Sequence, residues 1–159
     1  MRVQTYTLPM QELVELVKLQ LSEGGFAKLT VTGCSMLPML RDGRDTVDLI
    51  PVNTLQKKGA VILYRRENGQ YVLHRIIQVC GGSYICSGDN QYMREPVAQT
   101  QLIAVVNGFT RKGRHYTCKH FGYSVYTAAM VGLFFLRRPY IALRRMLGRL
   151  GRKIKKLTR

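Results

Sequence analysis

Hydrophobic positions change their period twice along the chain. Met10, Leu13, Val14, Val17 and Leu21 recur at helical spacing and fall on one stripe. Pro9 suits a first turn and Gly24-Gly25 stops the run, so the pattern predicts one amphipathic, core-packing helix over residues 9–21. From residue 27 to 110 the apolar positions shorten into strand-length runs at 29–32, 46–52, 60–65, 70–79, 83–86 and 101–109. In the longest, Val72, His74, Ile76 and Gln78 share one face, and Leu73, Arg75, Ile77 and Val79 the other. Asn68-Gly69 predicts a hairpin turn with positive φ at both positions, and Gly81-Gly82 a second turn. About six strands with no helices between them predict a mainly β fold. Its sheet should be antiparallel and partly closed, like an open barrel, with the helix at the N-terminus. The pattern excludes a doubly wound parallel sheet.

The last third has neither rhythm. Residues 123–136 are apolar apart from small polar side chains, and at 14 residues the run is short for a membrane span. Beyond it Leu143, Met146, Leu147, Leu150, Ile154 and Leu157 recur at helical spacing, with Arg and Lys on the opposite face. That predicts basic amphipathic C-terminal helices of the kind that lie in a membrane interface. The organisation expected is an N-terminal helix over residues 1–26, a β domain over 27–112, and the apolar segment with its basic tail over 113–159.

Charge sharpens this division. Of the 159 residues, 1–110 carry 11 Lys/Arg and all nine Asp/Glu, while 111–159 carry the other 14 Lys/Arg and no acid. The globular part is nearly neutral and the tail is a polycation, which requires an anionic partner or free solvation. An anionic membrane surface is the favoured partner, ahead of nucleic acid. Glu12 and Glu15 interrupt the N-terminal apolar stretch, so no secretory signal is expected there. The four cysteines, at 34, 80, 86 and 118, form no Cys-x-x-Cys pair, and the three histidines do not complete a metal set. Free thiols are expected, with no metal and no cofactor.

Three groups suggest a chemistry. Ser35 stands between two strands, His74 lies inside the long strand, and Asp89 follows in Ser87-Gly88-Asp89-Asn90. A hydroxyl, an imidazole and a carboxylate are the parts of a nucleophile, a base and a group that orients the base. The spacing of these residues leaves open a plain turn serine and a hydrogen-bonded core histidine.

Gly33-Cys34-Ser35-Met36-Leu37-Pro38 resembles the Gly-x-Ser-Met-x-Pro box of the type I signal peptidase family, whose clan also holds the self-cleaving repressors of the DNA-damage response. Four further boxes follow in the family's order. They are Asp42-Gly43-Arg44-Asp45-Thr46-Val47, Lys58-Gly59-Ala60-Val61-Ile62-Leu63-Tyr64, Leu73-His74-Arg75-Ile76-Ile77 and Gly88-Asp89-Asn90. Histidine at the base position, where most bacterial members carry lysine, resembles the endoplasmic-reticulum and archaeal serine–histidine type. The resemblance implies Ser35 as nucleophile, His74 as general base and then acid, and Asp89 as the group that stabilises the imidazolium. Cys34, Met36 and Pro38 would form the active-site loop, with the Ser35 backbone N–H donating to the oxyanion.

Three departures from the pattern are plain. Gly33 offers no hydroxyl to the oxyanion, Ala60 replaces the usual aspartate, and where the histidine-type members carry a second acidic cluster after Gly-Asp-Asn, Glu95 is the only acid. The resemblance therefore implies a membrane-associated serine endopeptidase acting on a precursor or leader peptide. Its attachment should be peripheral or re-entrant, with the catalytic domain on the cytoplasmic side. The alternatives are a self-cleaving-repressor-like regulator, and an inactive scaffold with a basic nucleic-acid- or membrane-binding tail.

Overall fold

A computed structural model describes residues 9–137, 139–141 and 143 of the chain. The expected tail positions Met146, Leu147, Leu150, Ile154 and Leu157 lie outside the described residues. The fold is mainly β: eight antiparallel strands in a curled half-barrel sheet, with a helix before them and helical segments after. Helix α1 (Met10–Ser22) buries Val14, Val17 and Leu21 and leaves Leu16 and Leu19 exposed. This is the stripe read from the sequence, and each buried side chain contributes about 2 kcal/mol. Glu12 in its first turn complements the helix dipole, and Gly24, at φ 77°, lets the chain reverse where a side chain would be strained.

The strands are β1 (Ala27–Thr30), β2 (Thr46–Ile50), β3 (Val61–Arg65), β4 (Tyr71–Cys80), β5 (Ser83–Ser87), β6 (Glu95–Ala98), β7 (Leu102–Arg111) and β8 (Arg114–Thr117). Their spatial order is β1-β2-β7-β3-β4-β5-β6, with β8 paired to β7. The sheet therefore runs on through Thr117, past residue 112. Strands β6 and β8 were not legible from periodicity. Each has four residues, β6 holds Pro96 at a sheet edge, and β8 is polar. The β3–β4 turn also differs from the expected two-residue form. Gly69 has φ 85° but Asn68 does not have a positive φ. Three residues span the gap, with the Arg66 N–H donating to Gln70 O at 2.8 Å and the Gln70 N–H to Asn68 Oδ1 at 3.1 Å. A turn closed by a left-handed glycine needs only one residue at positive φ.

Both faces of the sheet are covered. One core joins α1, β1 and β2 to Met36, Met39, Leu40, Val61, Leu63 and Ala104. The other gathers Ile62, Tyr64, Ile76, Tyr84, Cys86 and Val97. After β8, α2 (Phe121–Gly132) and a 3-10 turn (Phe134–Leu136) return over the first core through Tyr123 and Tyr126. No helix among the described residues is long and apolar enough to cross a membrane.

The curl leaves two unpaired strand edges facing each other. Among the described residues β1 has β2 on one side and no strand on the other. In β4, residues 71–74 pair with β3 alone, because β5 joins only from Arg75 onward.

Candidate active site

A cleft of about 570 Å³ opens between those two edges. Leu29, Thr30, Val31 and Thr32 form one bank, and Gly69, Gln70, Tyr71, Val72, Leu73 and His74 the other. Met10 and Gln11 of α1 contribute to its wall, and Ser35 and Met36 line it as well. Ser35 and His74, about forty residues apart in sequence, thus belong to one concavity.

The serine loop is held by backbone geometry. Gly33 adopts φ 80° and donates its N–H to Asp42 Oδ1 at 2.9 Å. Met36 is buried in the first core, Cys34 and Pro38 are exposed, and the Leu37-Pro38 peptide is cis. Asp45, wholly buried, accepts from the Arg41 N–H, the Arg44 guanidinium and the Lys112 N–H. The Arg44 hydrogen bonds hold its carboxyl down at about 2. The acidic box after the serine therefore ties the loop to the β7–β8 turn.

The turn at residues 88–91 clasps Ser35 from the other side. The Asn90 N–H donates to Ser35 O at 2.8 Å, and Asn90 Nδ2 to Cys34 O at 3.2 Å. Gly88 leaves no room for a side chain: an added Cβ would lie 2.7 Å from Ser35 O and 3.0 Å from Ser35 Cβ. Gly88→Ala is therefore expected to push the serine out of place. Misplacement of about 1 Å costs on the order of 100-fold in rate. The rate of Ser35 acylation by a fluorophosphonate checks this, and an unchanged rate would mean that the loop yields freely.

His74 is buried, at 3% exposure. Its Nδ1 lies 3.1 Å from the Tyr64 hydroxyl and 3.7 Å from Glu95 Oε2. Arg66 grips Glu95 through two bonds, at 2.5 and 2.8 Å, and Tyr64 hydrogen-bonds with Glu95. Burial pulls the His74 imidazole down to about 4 against the weaker upward pull of Glu95. Burial pushes Glu95 upward, but its bonds from Arg66 and Tyr64 prevail and leave it below the usual carboxylate value. The imidazole is thus neutral at physiological pH, with a carboxylate anchored beside it. When Nδ1–H donates to Tyr64 and Tyr64 donates to Glu95, the lone pair sits on Nε2.

Asp89 sits in a different network. Its side chain is fully buried and receives Arg75 Nε and Nη2, each at 2.8 Å, and the Tyr126 hydroxyl at 2.9 Å. Arg75 Nη1 also donates to Gly59 O, Tyr123 and Thr127. Burial pulls the guanidinium down, and Asp89 more than reverses this. Among the described residues Glu95, and not Asp89, is the carboxylate within ion-pair distance of His74. Glu95, Tyr64 and Arg66 were not assigned from the sequence. The β3–β4 register carries a signal for Tyr64, because Ile62 opposite His74 puts Tyr64 on the same face. For Glu95 the signal was its place as the only acid soon after Gly-Asp-Asn, and the structure brings it in from β6.

Among the described residues no group of three or more His, Cys, Asp or Glu could hold a metal ion. No protein-family model matches the chain, and no curated protein matches its sequence.

Proposed function

We propose that this chain is a serine endopeptidase of the signal-peptidase type, cleaving a precursor or leader peptide with Ser35 and His74, at an anionic membrane surface. The observation that carries the reading is the shared cleft: both residues line it, and it lies between two unpaired strand edges. Such edges offer backbone N–H and C=O groups to an extended peptide, which binds by adding a strand. Leu29, Val31, Met36 and Leu73 give the cleft an apolar lining, and the resemblance implies cleavage after a small residue.

In this reading Nε2 of neutral His74 takes the proton of Ser35 Oγ as the oxygen attacks the peptide carbonyl. The Ser35 backbone N–H donates to the tetrahedral oxyanion. The imidazolium, stabilised by Glu95 through Tyr64, then protonates the leaving amine, and an acyl ester remains on Ser35. Water, deprotonated by the same nitrogen, releases the product acid and restores the serine. Asp89 serves this chemistry by fixing the turn that clasps Ser35, through Arg75.

The five ordered sequence boxes support the family reading, and the cleft supports the chemistry. The test is acylation. A fluorophosphonate is expected to modify Ser35, located by peptide mass spectrometry, and Ser35→Ala should remove the labelled peptide while preserving thermal unfolding. Absence of any adduct on the folded wild-type chain would favour the inactive scaffold.

A further inference from the structure

The C-terminal segment has two unlike faces. On the inner side, the Tyr126 hydroxyl donates to Asp89, and buried Arg137 Nη1 donates to Gly88 O at 2.9 Å and Gln91 O at 3.3 Å. These are the residues of the turn whose Asn90 N–H holds Ser35 O. On the outer side, Phe121 and Phe135 are 81% and 70% exposed, and Val125, Leu133 and Leu136 are exposed too. Residues 121–136 contain no Asp, Glu, Lys or Arg at all. A helix turned toward water normally carries charge on that face; this one carries apolar side chains.

We propose that residues 121–137 form an interfacial clamp: the outer face docks on an anionic bilayer, and docking tightens the inner face onto the turn behind Ser35. The occupant follows from charge complementarity. From residue 111 to 159 there are 14 Lys/Arg and no acid, so an apolar stripe is flanked by cations alone. That is the make-up of an interfacial segment on anionic lipid. The inner contact is also easily tipped. Arg137 is 7% exposed, its hydrogen bonds run to carbonyl oxygens, and its guanidinium lies 4.8 Å from the centre of the Phe134 ring. Among the described residues it has no carboxylate within ion-pair distance, and its Nε has no hydrogen-bond partner. A buried cation held this way favours the docked state only weakly, so a surface that binds the docked form better shifts the balance toward it.

The inference rests on the protease reading only for its effect on catalysis, and its test does not. The full chain is mixed with vesicles of phosphatidylcholine alone or with an equal share of phosphatidylglycerol. Flotation and amide hydrogen exchange at Asn90 are measured. The chain should float with the anionic vesicles only, and the Asn90 amide should exchange at least about tenfold more slowly on them. Phe135→Glu should lose both effects at unchanged thermal stability. Arg137→Met should still float but lose the slowing at Asn90. Equal flotation on both vesicle types, or flotation with no change at Asn90, overturns the clamp. So does retention on duplex DNA without flotation. Fluorophosphonate labelling separates the two readings. An active enzyme without a clamp labels equally with and without vesicles, whereas a clamp on an inactive scaffold shows the exchange effect with no label.

Discussion

Exchanging His74 for glutamine is expected to slow acylation of Ser35 by about a thousandfold while the chain remains folded. Glutamine can keep a hydrogen bond to Tyr64 but cannot take a proton at neutral pH. Wild-type acylation should depend on pH in an unusual way. Burial holds the imidazole at about 4, so the acid limb of the rate profile lies well below that of an ordinary histidine. A limb near 6.5 would mean that water reaches the ring freely.

Stability must follow the same titration. The folded value lies below the unfolded one, so between pH 6.5 and about 4 the unfolded chain binds the extra proton. Stability therefore rises with pH through that window and is lost as pH falls through it, by about 3 kcal/mol in full. Urea unfolding of wild type and His74→Gln at pH 7 and pH 4.5 measures it. The variant should lack this part of the slope, and equal slopes would show that His74 is not buried neutral.

The second large effect belongs to Arg75. Replacing it with methionine strands the fully buried Asp89 carboxylate and frees Gly59 O, Tyr123 and Thr127. Breaking one partner of a buried pair costs about 3–5 kcal/mol. Removing both charges should cost less, so Arg75→Met with Asp89→Asn is expected to recover much of the loss in denaturant unfolding. Such non-additivity marks one network. Simple addition of the two single losses would show that the pair is not coupled. The same variants should slow Ser35 acylation, because the turn at 88–91 loses an anchor.

Much of the fold was legible because it is locally encoded. The period of α1 identified Val14, Val17 and Leu21, and alternation in β4 separated His74 from Arg75 correctly onto two faces. The glycines at 24 and 69 both marked places where the backbone turns left-handed. What was not legible is non-local. Glu95 reaches His74 only because β6 pairs with β5, which pairs with β4, and a four-residue strand with a proline has no periodicity to read. Arg137 looked like the end of an apolar run, yet the chain folds it back onto Gly88. The serine, histidine and aspartate boxes were visible in order. Their partners were not, because the identity of the carboxylate nearest the imidazole depends on register across three strands.

The two bare strand borders have a consequence for selectivity. A groove that recognises main-chain groups discriminates by conformation before it discriminates by sequence. Loops locked into a compact domain cannot lie along both borders at once, whereas an unstructured stretch can. The chain would therefore spare its finished neighbours without any catalogue of forbidden sequences. A peptidase of the proposed kind would act on segments that are still unfolded or have no fold of their own.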